Sequence, residues 1–287
     1  MNRNRDQAHA SLLFNQSLEK GLAVLLCFGP RRETLNLGEI AAAAGISKSA
    51  AQRLAFTLEA LGYLRKDPLT KRYALTPATL ALGYRYLLVD RMVERANPFL
   101  FDLNRTCGET VNYSEADSTD MVYVCRFPTR KSTPVQMPLG RRLPMFCTSS
   151  GRAYLSALAP TDRAEILRNS DLVAYTRTTV TSVPKILALC EEAAQRGYSI
   201  ANAEYYHADL NVAAPVYDAN GHPVGAVNIS APATRWTMAR LQRELAPMVI
   251  ETARLISTRD PDRAQSEPFA VGSGISATHP PSPVRKR

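Results

Sequence analysis

A chain of 287 residues with 45 % hydrophobic and 21 % charged side chains carries enough apolar material for two domains, each with its own core. Its five cysteines, Cys27, Cys107, Cys125, Cys147 and Cys190, are odd in number and form no CxxC pair, which argues against a disulfide framework and against a zinc site. A net charge of +9 favours a polyanionic partner without requiring one, and no apolar run reaches the ~20 residues of a membrane span. The opening "MNRNRDQAHASLLF" lacks the long apolar stretch of a signal peptide. The expectation is a cytoplasmic protein with no membrane partner and no cofactor.

Residues 1–10 are polar and are expected to be disordered. In "QSLEKGLAVLLCFG" the apolar positions Leu18, Leu22, Leu25 and Leu26 predict a first helix, capped by Ser17 and stopped at Gly29-Pro30. Asn36-x-x-Glu39 has the spacing of a capping box and starts a second helix, which ends at Gly45. Ser47 caps a third helix running to about Leu61, with Leu54, Leu58 and Leu61 toward the core and Gly62 as its stop. Two helices joined by a short turn containing Gly form a helix-turn-helix.

The third helix opens with donors. Ser47, Lys48, Ser49, Gln52 and Arg53 occupy the part of a recognition helix that meets base edges in the major groove. Gln suits adenine, Arg or Lys suits guanine, and Ser more often holds a phosphate. The competing reading is a solvated polar face. "GYLRKDPLTKRYAL" then reads as strand, turn, strand, with Arg65, Lys66, Lys71 and Arg72 crowding the tip. A basic hairpin behind a recognition helix is a wing suited to the DNA backbone. Residues 1–76 hold eleven Lys/Arg against six Asp/Glu, so this part carries more than half of the net charge. Residues 11–76 are assigned as a winged helix-turn-helix.

Residues 77–96 read as a linker helix, with Pro77 in its first turn and Leu80, Tyr84, Leu87, Leu88 and Met92 near helical spacing. Residues 97–258 mix strands and helices. "TSSGRAYLSAL" runs from small hydroxyl residues into a helix, whose free amides with Ser149 and Ser150 can hold a carboxylate. Plain N-capping is the simpler alternative. "NVAAPVYDANGHPVGAVNIS" is a hairpin, and Asn228 and Ser230 share one face of its second strand, opposite Val227 and Ile229. That polar face either lines a pocket or meets solvent. Residues 259–287, rich in Pro, Gly and Ser, are expected to be disordered.

Enzyme chemistry finds little footing. Glu204-x-x-His207-x-Asp209 resembles an acid/base or metal cluster only superficially, and Cys147 has no evident His partner. There is no GxSxG elbow, no P-loop, and no GxGxxG after a strand. Catalytic and metal-binding residues are therefore assigned as none.

"QSLEKGLAVLLCF", "LGEIAAAAGISKSAAQRLAFTLEALGYL" and "YALTPATLALG" resemble the N-terminal domain of the IclR family of bacterial transcriptional regulators. "GETVNYSEADSTDMVYVCRF", "LGRRLPMFCTSSGRAYLSAL" and "NVAAPVYDANGHPVGAVNISAP" resemble that family's effector-binding domain. The resemblance runs from about residue 14 to residue 257. It implies an α+β chain in which a winged helix-turn-helix is joined by a linker helix to a GAF-like α/β effector-binding domain. It also implies a repressor or activator that is a homodimer or a dimer of dimers, binds a pseudo-palindromic double-stranded DNA operator and responds to a small organic acid. "LTPATLALGYRYL" resembles the branch controlling aromatic-acid catabolism. Effector contacts carry over to Val135, Leu143, Ser149, Ser150, Asn211, Asn228 and Ser230, with Asn202 and Asp209 added. The chain departs from the family at Ala50, where Thr is common. It departs again where Asn202 and Ala203 replace acids, Ala208 replaces Gly and Asp209 replaces an apolar residue. Two other readings remain at this stage: a DNA-associated protein whose C-terminal domain only dimerises, and an enzyme with an accessory winged domain.

Overall fold

The computed structural model describes residue 9, residues 11–131 and residues 137–257. The disorder expected for 1–10 (His9 apart) and for 259–287, and the contact expected from Val135, lie outside the described residues.

Helix α1 spans Gln16–Leu26. Its cap is Asn15 rather than Ser17, because the Asn15 Oδ1 accepts from the amides of both Ser17 and Leu18 at 3.0 Å. Ser17 is already inside the first turn. The apolar stripe expected here exists, but Leu18, Leu22 and Leu26 face outward, and Val24 is the residue the core takes. Helix α2, Leu37–Ala44, opens with the Asn36–Glu39 capping box and ends at Gly45, whose φ of +64° suits a residue without Cβ. Helix α3, Lys48–Ala60, starts at Ser47, whose Oγ accepts from the Ala50 amide at 3.2 Å.

Ala51, Ala55 and Leu58 point α3 into a core with Val24, Ile40 and Leu64. Alanines at two of these helical steps let the helices approach closely. Leu54 is half-buried, and Leu61 is 63 % exposed because it falls past the last helical residue. Strands β1, Leu64–Lys66, and β2, Tyr73–Leu75, pair antiparallel as the wing. Asp67 closes the turn between them by accepting from the Leu69 and Thr70 amides at 2.9 and 2.7 Å. Leu35 and Tyr73 exchange backbone bonds, which tie the wing to the helices.

A short 3-10 turn, Pro77–Thr79, leads into α4, Leu80–Val89. The single linker helix expected over 77–96 breaks at Asp90. This residue is extended (ψ 107°), and its carboxylate accepts from the Met92 and Val93 amides at 2.7 and 3.1 Å. A new helix, α5, then runs Arg91–Cys107 and buries Val93, Ala96, Leu100 and Leu103. The carboxylate at Asp90 satisfies amides that a continuous helix would have bonded internally, so the break is locally stable.

The C-terminal sheet contains β3 (Thr110–Asp117), β4 (Asp120–Phe127), β5 (Arg142–Pro144), β6 (Ser199–Asn202), β7 (Asp209–Tyr217) and β8 (Pro223–Pro232). Its spatial order is β5-β4-β3-β8-β7-β6, antiparallel throughout. Side chains alternate faces. Val111, Tyr113, Val212, Val227 and Ile229 meet α5 together with α9 (Met238–Glu244) and α10 (Ala246–Ile256). Met121, Ala213 and Ala226 meet the other layer, formed by α6 (Ser149–Ser156), α7 (Pro160–Arg168) and α8 (Val183–Arg196). Gly151 lets α6 lie against the backbone of Met145, where any Cβ would come within 2.2 Å. That close approach holds the first turn of α6 in place over the sheet.

Candidate nucleic-acid interface and buried cavity

Ser47, Lys48, Ser49, Gln52 and Arg53 are all exposed along the first half of α3. The Ser47 hydroxyl is occupied as the helix cap and lies 3.1 Å from the Ser49 hydroxyl, so its role is to fix the start of the helix. On the wing, Arg65, Lys66 and Lys71 are exposed. The Lys66 ammonium sits 5.4 Å from the centre of the Tyr73 ring, which steadies its stem.

Arg72 behaves differently from its wing neighbours. Its guanidinium turns back to the Thr34 hydroxyl (2.9 Å), the Thr34 carbonyl (2.8 Å) and the Glu39 carboxylate (2.7 Å). Glu39 already completes the α2 capping box, and the Asn36 amide, then Arg72, holds its carboxyl below the usual range. Arg72 is thus a brace between wing and helix, whereas the sequence suggested a DNA-facing cation. The carboxylate that redirects it is 33 residues away in sequence.

In the C-terminal domain a cavity of about 440 Å³ lies between the start of α6 and the sheet. Its floor is polar. Asn112 on β3 stands opposite both Arg126 on β4 and Asn228 on β8, and Asn211 on β7 stands opposite Ser230 on β8. Arg126 donates to Asn112 at 2.9 Å, Asn112 to Asn228 at 3.1 Å, and Asn228 to Asn211 at 3.2 Å. Asn211 and Ser230 both donate to Asp209, at 2.9 and 2.7 Å. Burial pushes the Asp209 carboxyl up, against the opposing pull of Asn211, Ser230 and Arg126. Burial likewise lowers the Arg126 guanidinium from its ordinary value.

The opposite wall is the first turn of α6. Thr148 caps it, accepting from the Gly151 amide at 3.2 Å, so neither Ser149 nor Ser150 is spent on capping. Both serines are buried and line the cavity, and Tyr123, Tyr205 and Tyr206 supply aromatic wall. Glu204 also lines the cavity and forms a bidentate ion pair with Arg152 at 2.6 and 2.5 Å, with 7 % and 1 % of their side chains exposed. Glu204 also accepts from the Val180 amide at 3.1 Å.

Seven expected effector residues therefore share one cavity: Leu143, Ser149, Ser150, Asp209, Asn211, Asn228 and Ser230. Asn202 is not among the lining residues. It is exposed at the end of β6, where its carbonyl accepts from Thr178 at 3.0 Å. Asn112, Arg126 and the three tyrosines join the cavity without having been singled out in the sequence. Asn112 left little trace, as one of several polar residues in the strand "TVNYSEAD".

Glu204, His207 and Asp209 all line the cavity, but their bonds differ. Glu204 is held by Arg152, while Asp209 is part of the polar floor. Among the described residues no group of three His, Cys, Asp or Glu side chains is placed to hold a metal ion. Burial pushes the Cys147 thiol up to about 12, the opposite of an activated nucleophile. No helix among the described residues is long and apolar enough to cross a membrane.

Two family profiles match the chain: the IclR helix-turn-helix domain over residues 17–68, and the bacterial transcriptional regulator IclR C-terminal domain over residues 84–258. The chain belongs to the IclR family. It is a DNA-binding transcriptional regulator. Its curated relatives include the Pca regulon regulatory protein of Pseudomonas putida, 31 % identical over 84 % of this chain and 82 % of that protein. The Pca operon regulatory protein of Acinetobacter baylyi is 30 % identical over 84 % of this chain and 87 % of its own length. Among solved IclR-like structures, a putative transcriptional regulator from Rhodococcus sp. RHA1 is 34 % identical, with a TM-score of 0.74 over 85 % of this chain and 97 % of that one. The α+β architecture, with a helix-turn-helix ahead of an α/β domain, is the one found in those IclR structures.

Proposed function

We propose that this IclR-family regulator reads a pseudo-palindromic operator as a dimer or dimer of dimers in the cytoplasm, and that a small aromatic acid in the C-terminal cavity sets its operator affinity. Residues 11–76 act as the reader and residues 97–258 as the sensor. Lys48, Ser49, Gln52 and Arg53 enter the major groove, while Arg65, Lys66 and Lys71 contact the backbone. Half-sites then lie about 10 bp apart or at a multiple of that spacing. The outward stripes on α1 (Leu18, Leu22, Leu26) and α4 (Leu80, Tyr84, Leu88) favour pairing of two chains, since apolar surface of this extent marks an interface.

The observation that carries the sensing role is the cavity itself. A domain that only dimerised would have no need of a polar floor, two buried serines at a helix start and a guanidinium around one space of about 440 Å³. That volume suits a single-ring acid. Free amides at the start of α6, with Ser149 and Ser150, favour a carboxylate. An IclR homologue from Microbacterium hydrocarbonoxydans, which shares the fold at 20 % identity, is described in complex with 4-hydroxybenzoate. An aromatic acid is therefore within the reach of this architecture. The ligand acts by binding two arrangements of the dimer unequally.

Operator fragments selected from the host's own DNA, with fluorescence anisotropy against a panel of acids, test this reading. Ser149→Phe is expected to leave operator affinity intact and to abolish the acid response. An undiminished response in that variant would place the ligand elsewhere.

A further inference from the structure

The polar floor of the cavity is a hydrogen-bond chain with a direction. Arg126 can only donate, and an ionised carboxylate can only accept. Between these ends each amide has one orientation that works, because flipping any of Asn112, Asn228 or Asn211 would set donor against donor and acceptor against acceptor. The donors on the floor therefore run from Arg126 toward Asp209, where Asn211 and Ser230 deliver the last two. Both Asp209 oxygens accept, and these two bonds favour the carboxylate against the burial that pushes it up.

A carboxylate has about four acceptor positions, and these two bonds fill half of them. Asp209 lines the cavity, so what remains is offered to a ligand. A hydroxyl or amino hydrogen fits there, and a second negative charge does not. The other charges nearby agree. Glu204 is neutralised by its bidentate contact with Arg152, leaving the positive end of α6, where Ser149 and Ser150 line the cavity, to receive a single carboxylate.

We infer that Asp209 selects the effector: the cavity takes a monocarboxylic acid that also carries a hydroxyl or amino hydrogen-bond donor, and it turns away dicarboxylic acids. This rests on the acid-sensing reading above. It assigns the selection to the one acidic residue found where the family resemblance leads to an apolar one.

Calorimetric titration and melting shifts of the full chain test it with matched acids: benzoate, 4-hydroxybenzoate and terephthalate, then butyrate, 4-hydroxybutyrate and succinate. In the unaltered chain the hydroxy acid of a set is expected to bind at least tenfold tighter than its unsubstituted and dicarboxylic counterparts, as loss of a bond to a charged group implies. Asp209→Asn, nearly the same in shape, is expected to erase most of that gap and to admit the dicarboxylate. Asp209→Leu gives a second comparison should the amide variant melt early without ligand. A ranking led by a dicarboxylate in the unaltered chain, or one that Asp209→Asn leaves unchanged, overturns the inference while the sensing role stands. Binding of none of the acids overturns both.

Discussion

The reading and sensing halves place their polar groups in opposite ways. In the helix-turn-helix, Lys48, Gln52, Arg53, Arg65 and Lys71 stand in water around a small apolar core. In the C-terminal domain, Asn112, Asn228, Ser149, Ser150, Arg152 and Glu204 are buried, and the first two belong to a continuous bonded floor. A surface that awaits DNA keeps its charges hydrated until phosphates replace the water, so those side chains contribute affinity and little stability. A buried cavity takes its polar groups out of bulk water, and the side chains of its floor are held by one another. Substitutions in the first region should therefore change binding alone, whereas substitutions in the second should change the fold or the ligand.

The largest expected break in that contrast is at Arg152. Arg152→Met leaves the Glu204 carboxylate enclosed without its cation, and losses from such half-pairs are about 3–5 kcal/mol. Urea unfolding should show the C-terminal domain melting early. Restoration of part of the loss in Arg152→Met combined with Glu204→Leu would identify the uncompensated charge as the cause, and no restoration would point to packing instead. Next in size is Arg53→Ala. It should weaken preference for the operator by about 1–3 kcal/mol with no change in the unfolding curve. Equal losses on operator and random DNA in a gel-shift series would reassign Arg53 to phosphate contact.

The smallest effect sharpens the contrast within the wing. Arg65→Ala should lower the slope of log affinity against log salt by about one, as expected for a lost phosphate contact. Arg72→Ala should leave that slope nearly unchanged, because its guanidinium is committed to Thr34 and Glu39. A matching drop for both would mean that Arg72 leaves its brace when DNA arrives.

What was legible followed from distance along the chain. The Asn36–Glu39 box, the Ser47 cap, Gly45 and the Asp67 turn each act within a few residues, and each sits where the pattern put it. The helix break at Asp90 was equally local. An Asp ahead of an amphipathic run is a cap, but the apolar spacing from Leu80 through Met92 ran across it and hid the break. Leu61 and the stripe on α1 show the limit of periodicity, which reveals that a face is apolar without saying what covers it.

The cavity was less legible. Asn228 and Ser230 share a face by simple alternation, so one strand could be read directly. Asn112 and Arg126 could not, since they reach that face only through the pairing of β3 with β4 and β8. The amino-acid sequence alone determined the Asn36–Glu39 and Ser47 caps, the helix-turn-helix with its wing and the polar type of each candidate contact, because those depend on neighbours a few residues away. Tertiary structure alone decided that Arg72 turns inward, that Arg152 meets Glu204 and that Arg126 lies in register with Asn112. Strand pairing and packing join residues separated by tens of positions, and no local pattern records which partner a side chain will find.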